Sequence, residues 1–175
     1  MRADCALNVV LIGMPGAGKS TIGVLLAKRL GYHFVDTDLL IQAEEQARLQ
    51  EIIAQHGLEV FKRVEEQTLC RLKASHSVIA TGGSAVYSET AMRHLAELGR
   101  VVFIDVPLAE LKKRVDDMDT RGLVLDPGDD FSGLFARRRP LYQKWANITV
   151  AGTKMKPDRI AATIETMVCS QSRPE

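Results

Sequence analysis

An eight-residue segment near the start of the chain, Gly13–Ser20, constrains the fold more than any other part of the sequence. It reads Gly-Met-Pro-Gly-Ala-Gly-Lys-Ser, which fits the pattern GxxxxGK[ST] in full. The apolar run Asn8–Ile12 predicts a buried strand, and the apolar spacing in Lys19–Leu30 predicts a helix that stops at Gly31. A strand, a glycine-rich turn and a helix in this order are typical of a phosphate-binding loop, or P-loop.

Each part of this loop has a chemical reason. Glycines let backbone N–H groups turn inward around phosphate oxygens, and the helix N-terminus adds its partial positive charge. Lys19 can reach the β and γ phosphates of a nucleoside triphosphate, and Ser20 can bind Mg²⁺. The predicted nucleotide-binding residues of this segment are Gly13, Gly16, Ala17, Gly18, Lys19, Ser20 and Thr21.

The loop alone does not separate kinases, GTPases and ATPases. The chain has no NKxD segment, with which a GTPase normally reads its base. Ile104-Asp105 has the apolar run and aspartate typical of the Walker B segment of motor and transporter ATPases, but Val106-Pro107 follows at once. The motif therefore establishes the nucleotide site and leaves the reaction open.

Five short apolar runs alternate with helical patterns along the chain. The predicted strands are 8–12, 33–36, 77–80, 101–105 and 148–150, and the predicted helices are 19–30, 38–55, 58–74, 89–98, 108–115, 134–145 and 157–167. This alternation predicts one α/β domain over 1–175, with a five-stranded parallel sheet and helices on both faces. Ligands then bind beyond the carboxyl ends of the strands.

Three segments predict departures from regular structure. The polar segment 116–133 contains three glycines, a proline and several aspartates, which predicts a mobile loop. Pro140 inside the helix 134–145 predicts a kink or a short break. The polar tail 169–175 is expected to fray.

The composition argues against several kinds of partner. The 23 basic and 22 acidic residues give a formal net charge of +1, so no overall field favours nucleic acid or an anionic membrane. No segment reaches the roughly 20 apolar residues of a membrane span, and no signal-peptide pattern is present. We therefore expect a soluble, cytoplasmic monomer. Cys5, Cys70 and Cys169 lack CxxC spacing, which favours reduced thiols.

Six short motifs follow one another along the chain. They are the P-loop, FVDTD at 34–38, FKRVEE at 61–66, TGGSAV at 81–86, TR at 120–121 and RRPLY at 138–142. Together they resemble the shikimate kinase family of the nucleoside monophosphate kinase-like group, from about Asn8 to the last helix. The resemblance implies transfer of the γ-phosphoryl group of ATP, with Mg²⁺, to a hydroxyl of a carboxylate-bearing alcohol. In this family that alcohol is shikimate, and the product serves aromatic amino acid biosynthesis.

The resemblance also implies an acceptor site on the helices of about 38–74 and on the glycines after the third strand. Asp38 matches the residue that binds the acceptor hydroxyls and takes up a proton, and Arg138 matches the one that binds the acceptor carboxylate. Asp36 matches the aspartate that holds Mg²⁺ through water. The implied substrate-binding residues are Asp38, Phe61, Lys62, Gly82, Gly83, Ser84 and Arg138.

Asp36 and Asp38 stand two residues apart just past a predicted strand, so we expect their side chains to share a face. Asp38 opens a predicted helix, so an N-cap role is its structural alternative. A tight turn is the alternative for Gly82 and Gly83, and core packing is the alternative for Phe61.

The resemblance extends to Glu65, which matches a carboxylate that supports the site. Its structural alternative is a surface salt bridge. Arg137 and Arg139, the neighbours of Arg138, are expected to be solvated helix charges.

On the nucleotide side, Arg121 matches the arginine of a lid at about 116–133 that closes on the phosphates. Closure of a lid also excludes water, which would otherwise receive the phosphoryl group. Arg114 and the loop before Pro157 match segments that flank adenine. The implied catalytic residues are Lys19, Asp38 and Arg121.

The chain departs from the family pattern on the acceptor side. Lys62 stands where a second carboxylate-binding arginine is usual, which keeps the charge but loses the bidentate fork. Ser84 replaces a third glycine, and Leu58 follows Gly57 where glutamate is usual. These departures leave homoserine open as the acceptor, with Asp38 pairing its ammonium. A non-catalytic nucleotide-binding module is the alternative from another functional class.

Overall fold

The computed structural model describes residues 7–116 and 130–170. The strands are β1 (Asn8–Ile12), β2 (His33–Asp36), β3 (Ser77–Ala80), β4 (Gly99–Asp105) and β5 (Ile148–Ala151). The helices are α1 (Lys19–Leu30), α2 (Thr37–Glu45), α3 (Leu49–His56), α4 (Leu58–Arg71), α5 (Glu89–Leu98), α6 (Leu108–Asp116), α7 (Phe131–Trp145) and α8 (Pro157–Ser170), and Ala85–Tyr87 forms a 3₁₀ turn.

The five strands form one parallel sheet in the order β2-β3-β1-β4-β5. All five residues of β1 are buried, as expected of an apolar strand covered on both faces. Within β1, Val10 lies opposite Ile79 of β3 and Val101 of β4. The prediction of a five-stranded parallel α/β sheet is confirmed.

The helices cover both faces of the sheet. The chain crosses from β1 to β2 in one direction and from β3 to β4 in the other. Because such crossovers are right-handed, they place α1 and α5 on opposite faces. α8 packs against α1, and α4 packs against α5. The crossovers that leave β1 and β3 thus run towards opposite sides of the sheet, and a ligand crevice is expected beyond the carboxyl ends of these two strands.

The buried side chain of Asn8 joins three segments at the other end of the sheet. Its Nδ2 donates to the carbonyl oxygens of Ala74 at 2.8 Å and Leu98 at 2.9 Å. Its Oδ1 accepts from the backbone N–H of Ser77 at 2.9 Å. One amide side chain therefore satisfies three backbone groups where β1 and β3 begin and α5 ends.

The structure corrects several predicted boundaries. The helix expected over 38–55 is two helices, because the chain turns at 46–48, where Gln46 has a left-handed φ of 52°. The helix expected over 58–74 ends earlier, at Arg71. α7 begins at Phe131 and is continuous through Pro140, so the predicted break at that proline is wrong.

Two expected irregular segments are partly helical. Asp130 caps α7 by accepting from the N–H of Gly133, so the last residues of the expected lid, 131–133, are helical. α8 continues to Ser170 and so includes the first two residues of the expected frayed tail. Arg121 and the rest of the lid prediction at 117–129 lie outside the described residues. Within the described ranges, no helix is long and apolar enough to cross a membrane.

We expect Asn8→Ala to lower the free energy of unfolding by about 3 kcal/mol, because it leaves three backbone groups without their partner. Urea unfolding measures this change. Asn147→Ala is the matched control, since Asn147 Oδ1 accepts a single bond, from the N–H of Val101 at 2.8 Å. Equal losses in the two variants would contradict the role given to Asn8.

Candidate active site

The P-loop connects β1 to α1, and its glycines adopt backbone conformations that other residues disfavour. Gly16 and Gly18 have φ angles of 79° and 87°, in the left-handed region that side chains disfavour. Gly18 is also the N-cap of α1 and uses no side chain for that purpose. The first N–H groups of α1 are therefore left to bind an anion.

Lys19 lies against the loop that it follows. Its Nζ donates to the carbonyl oxygens of Gly13 at 2.8 Å and Met14 at 2.9 Å. An ammonium has three donors, so one remains for a phosphate oxygen. Loss of hydration lowers the pKa of Lys19 to about 8, although the carboxylates of Asp38 and Asp36 oppose this shift.

Ser20 and Asp36, the two predicted Mg²⁺ residues, are in contact. Ser20 Oγ donates to Asp36 Oδ2 at 2.7 Å. A hydroxyl and a carboxylate are the hard oxygen ligands that Mg²⁺ takes, usually together with phosphate oxygens and water. In the part of the chain that the structure describes, no cluster of three His, Cys, Asp or Glu side chains could hold a metal. The pair thus fits Mg²⁺ that arrives with a nucleotide.

The structure corrects how the two aspartates are arranged. β2 ends at Asp36 and α2 begins at Thr37, so the two side chains do not share the face of an extended strand. Asp36 is the N-cap of α2 and accepts from the N–H of Asp38 at 3.1 Å, so the cap role predicted as the alternative for Asp38 belongs to Asp36. Loss of hydration raises the pKa of Asp38, and the charge of Lys19 partly offsets this.

Gly82 and Gly83 are placed so that side chains of other elements approach their backbone closely. A Cβ at position 82 would lie 2.5 Å from Glu65 Oε1 and 2.8 Å from Asp38 Oδ1. A Cβ at position 83 would lie 3.0 Å from both Arg138 Nη1 and a Pro15 side-chain carbon. These glycines are therefore required for space, and they bring two carboxylates and a guanidinium together beyond β3.

Glu65 is buried in the site, so the alternative of a surface salt bridge is wrong. Its side chain is 3% exposed, and Oε2 accepts from Ser84 Oγ at 2.6 Å. Burial raises the pKa of Glu65 to about 7, and the hydrogen bond from Ser84 acts in the opposite direction. The hydroxyl that replaces the family's third glycine is thus directed at Glu65.

Arg138 is almost fully buried, with 1% exposure. Its Nε donates to the hydroxyl of Tyr87 at 3.2 Å, and its guanidinium lies 5.1 Å from the centre of the Tyr87 ring. A buried arginine is costly unless an anion balances it, and Arg138 lies close enough to Glu65 to affect its pKa. The position suits the binding of a substrate carboxylate.

Two other residues of the predicted acceptor site have structural contacts. Lys62 Nζ pairs with Glu59 Oε1 at 2.9 Å and lies 5.8 Å from the ring of Tyr87. Phe61 is 1% exposed and packs in a second apolar cluster with Ile41 and Ile52. The structure agrees with the core alternative for Phe61, and its contact with an acceptor stays a prediction.

On the nucleotide side, Arg114 connects the P-loop to its surroundings. It donates to Gly16 O at 3.3 Å, to Gly152 O at 3.0 Å and to Glu110 Oε1 at 2.6 Å. Pro157 is exposed at the start of α8, five residues beyond Gly152. Arg114 thus touches both the loop and the segment before α8 that we expect beside adenine.

Arg139 is not a free solvated charge. It makes a two-bond ion pair with Asp105 at the end of β4, at 2.7 Å and 3.2 Å. Asp105 is the aspartate of the Walker B-like run, and both of its carboxylate oxygens accept a bond from Arg139. Arg137 is exposed, as expected.

Sequence reasoning missed two tyrosines at the site. The Tyr87 ring lies 5.1 Å from the guanidinium of Arg138 and 5.8 Å from the ammonium of Lys62, and no local pattern pointed to it. Tyr142 is fully buried and its hydroxyl donates to Gly83 O at 2.7 Å, which supports the glycine turn. Its place in the RRPLY motif was the signal for Tyr142.

A P-loop beside two carboxylates and a buried arginine defines a phosphotransferase that acts on an alcohol. A family model described as shikimate kinase matches residues 15–169. The chain therefore belongs to the shikimate kinase family.

Curated relatives and solved structures agree with this assignment. The chain is 38% identical over 157 residues to the shikimate kinase of Thermobifida fusca, covering 89% of this chain and 91% of that one. It is 36% identical over 172 residues to that of Rippkaea orientalis, covering 97% and 91%. Shikimate kinase from Acinetobacter baumannii, solved in complex with shikimate, superposes with a TM-score of 0.89 at 28% identity, covering 97% and 96%.

We expect Gly82→Ala to lower kcat/KM for the alcohol about 100-fold, because the added Cβ displaces the carboxylates of Glu65 and Asp38. The KM for ATP should stay within about twofold, since the P-loop is not touched. Initial-rate kinetics with each substrate varied in turn measure both constants. Gly133→Ala at the start of α7 is the matched control. If Gly82→Ala and Gly133→Ala had the same kcat/KM for the alcohol, the close approach of Glu65 and Asp38 to position 82 would be refuted.

Proposed function

We propose that this chain transfers the γ-phosphoryl group of ATP to a hydroxyl of shikimate and so forms shikimate 3-phosphate. The observation that carries the proposal is the convergence beyond β3 of Arg138, Asp38 and Glu65 beside Lys19. Shikimate offers one carboxylate and several hydroxyls, which match one buried cation and two carboxylates. The names of the relatives support the same acceptor.

The site residues divide the reaction between them. Arg138 binds the acceptor carboxylate, and a planar guanidinium held by Tyr87 suits that role. Asp38 accepts a hydrogen bond from the attacking hydroxyl and takes up its proton, and its raised pKa makes it a better base than an exposed aspartate. Lys19 and the N–H groups of the P-loop bind the phosphates and offset the charge that develops on them.

Ser20 and Asp36 are the residues that would hold Mg²⁺. Bound with ATP, the ion would neutralise phosphate charge. The cap bond from Asp38 N–H to Asp36 Oδ1 orients the carboxylate, so that its other oxygen faces Ser20. Arg121, which lies outside the described residues, is proposed as the lid arginine on sequence grounds alone.

Two alternatives have less support. The hydroxyl of Ser84 is engaged by Glu65, so the departure from glycine does not call for a smaller acceptor such as homoserine. A non-catalytic nucleotide-binding module would have no need for the buried charges of Arg138 and Glu65 beside the P-loop. Coupled ADP-release assays with MgATP distinguish the three possibilities. Turnover with shikimate supports the proposal, turnover with homoserine alone overturns it, and ATP binding without either turnover supports the module.

We expect Lys19→Ala to lower kcat by at least about 100-fold, because it removes the cation that faces the transferred phosphate. The thermal unfolding profile should show that the variant is folded. Lys28→Ala, on the exposed side of the same helix, is the control and should leave kcat unchanged. Survival of kcat within a few fold in Lys19→Ala would refute the role of the P-loop lysine.

We expect Lys62→Arg to lower the KM for shikimate about fivefold, because a guanidinium can bind the carboxylate through two parallel bonds. Shikimate titrations at saturating ATP measure this change. Arg63→Lys, at the exposed next position of α4, is the control. An unchanged or higher KM in Lys62→Arg would show that Lys62 does not contact the carboxylate.

A further inference from the structure

Ser84 and Glu65 form a buried pair, and the mechanism above gives Ser84 no role and Glu65 no particular contact. Ser84 is 5% exposed and Glu65 is 3% exposed, and the distance from Ser84 Oγ to Glu65 Oε2 is 2.6 Å. Ser84 precedes the 3₁₀ turn, but its side chain makes no capping bond there. Its hydroxyl therefore has a side-chain partner from α4 and no local structural role.

The second oxygen of Glu65 is without a partner. Among the described residues, Oε1 accepts no hydrogen bond although it is buried. It lies 2.5 Å from the position that a Cβ of residue 82 would occupy, and Asp38 Oδ1 lies 2.8 Å from the same point. A buried acceptor without a donor is costly, and here it faces the proposed acceptor site beside the proposed base.

The charges around Glu65 come from several elements. Lys19 of α1 and Arg138 of α7 favour its ionised form, and Asp38 of α2 opposes it. The bond from Ser84 also favours the ionised form, while burial works against it. Removal of the Ser84 hydroxyl should therefore shift Glu65 towards its protonated form, in which a carboxyl is a poorer acceptor.

We propose that Ser84 is a positioning residue whose bond to Glu65 Oε2 orients the carboxylate, so that Oε1 accepts a hydrogen bond from a hydroxyl of the acceptor. This inference rests on the proposed function, because it assigns the unpartnered oxygen to a shikimate hydroxyl. It also explains how the chain accommodates a serine where the family pattern has glycine. A second pair of the same chemistry, Ser88 with Glu66, differs because Ser88 also caps α5.

The test is the pH dependence of kcat/KM for shikimate in Ser84→Ala, which removes only the hydroxyl. Because Glu65, like the proposed base Asp38, must be ionised, activity rises with pH on the acid side of the profile. We expect the midpoint of that rise to move up by about one pH unit in the variant, and kcat/KM at pH 7 to fall about fivefold. At pH values above this rise, the kcat/KM of Ser84→Ala should approach that of the wild type. The KM for ATP should not change.

Three further variants separate positioning from packing. Glu65→Gln should abolish the acid-side shift, so that adding Ser84→Ala to it moves the midpoint no further. Glu66→Gln, on the neighbouring residue of α4, should leave the midpoint in place. Ser84→Gly, which restores the family residue, should show the same shift as Ser84→Ala. A uniform loss of activity without a shift, or no change at all, would overturn the proposal.

A measurement without turnover keeps this inference separate from the proposed function. A carbon NMR titration of side-chain carboxyls in the free protein, with Glu65→Gln to assign the signal, reports the ionisation of Glu65 directly. A higher titration midpoint in Ser84→Ala supports the positioning role, and an unchanged midpoint overturns it. Failure of the wild type to phosphorylate shikimate would instead refute the proposed function.

Discussion

The parallel pairing of β1 with β3 is the interaction on which the site depends. It places the P-loop, which follows β1, beside the Gly82–Gly83 turn, which follows β3, at one edge of the sheet. Neighbouring strands lie about 4.8 Å apart, so the phosphate-binding and acceptor-binding segments meet without a large loop. The crossovers from these two strands run towards opposite sides of the sheet, which leaves a crevice beyond their carboxyl ends. The N-terminus of α1 supplies its partial positive charge there.

The crevice contains a group of buried or dehydrated charges. Arg138 and Glu65 are almost without exposure, and Lys19 and Asp38 both have pKa values shifted by loss of hydration. Ion pairs of this kind contribute little net stability, because desolvation offsets their attraction. Their cost is understandable where they recognise a charged substrate, and shifted pKa values are typical of such sites.

Sequence patterns predicted the elements and the nucleotide loop because both depend on neighbours along the chain. The strands and the P-loop follow from apolar runs and glycine spacing, and they were predicted nearly to the residue. The turn at Gln46 was missed because neither glycine nor proline marks it. The ion pair of Arg139 with Asp105 and the bond of Ser84 with Glu65 join residues 34 and 19 positions apart, and only packing brings them together. The lid arginine remains a prediction from sequence.

The crossover between β2 and β3 has an apolar cluster of its own. Ile41, Ile52 and Phe61 pack within α2–α4, apart from the main core beneath the sheet. Substitutions in this segment can therefore be accommodated locally, without repacking the strands that carry the P-loop. Over evolutionary time such a crossover can diverge faster than the sheet, so that descendants of one ancestral kinase keep their ATP chemistry and exchange the alcohol on which they act.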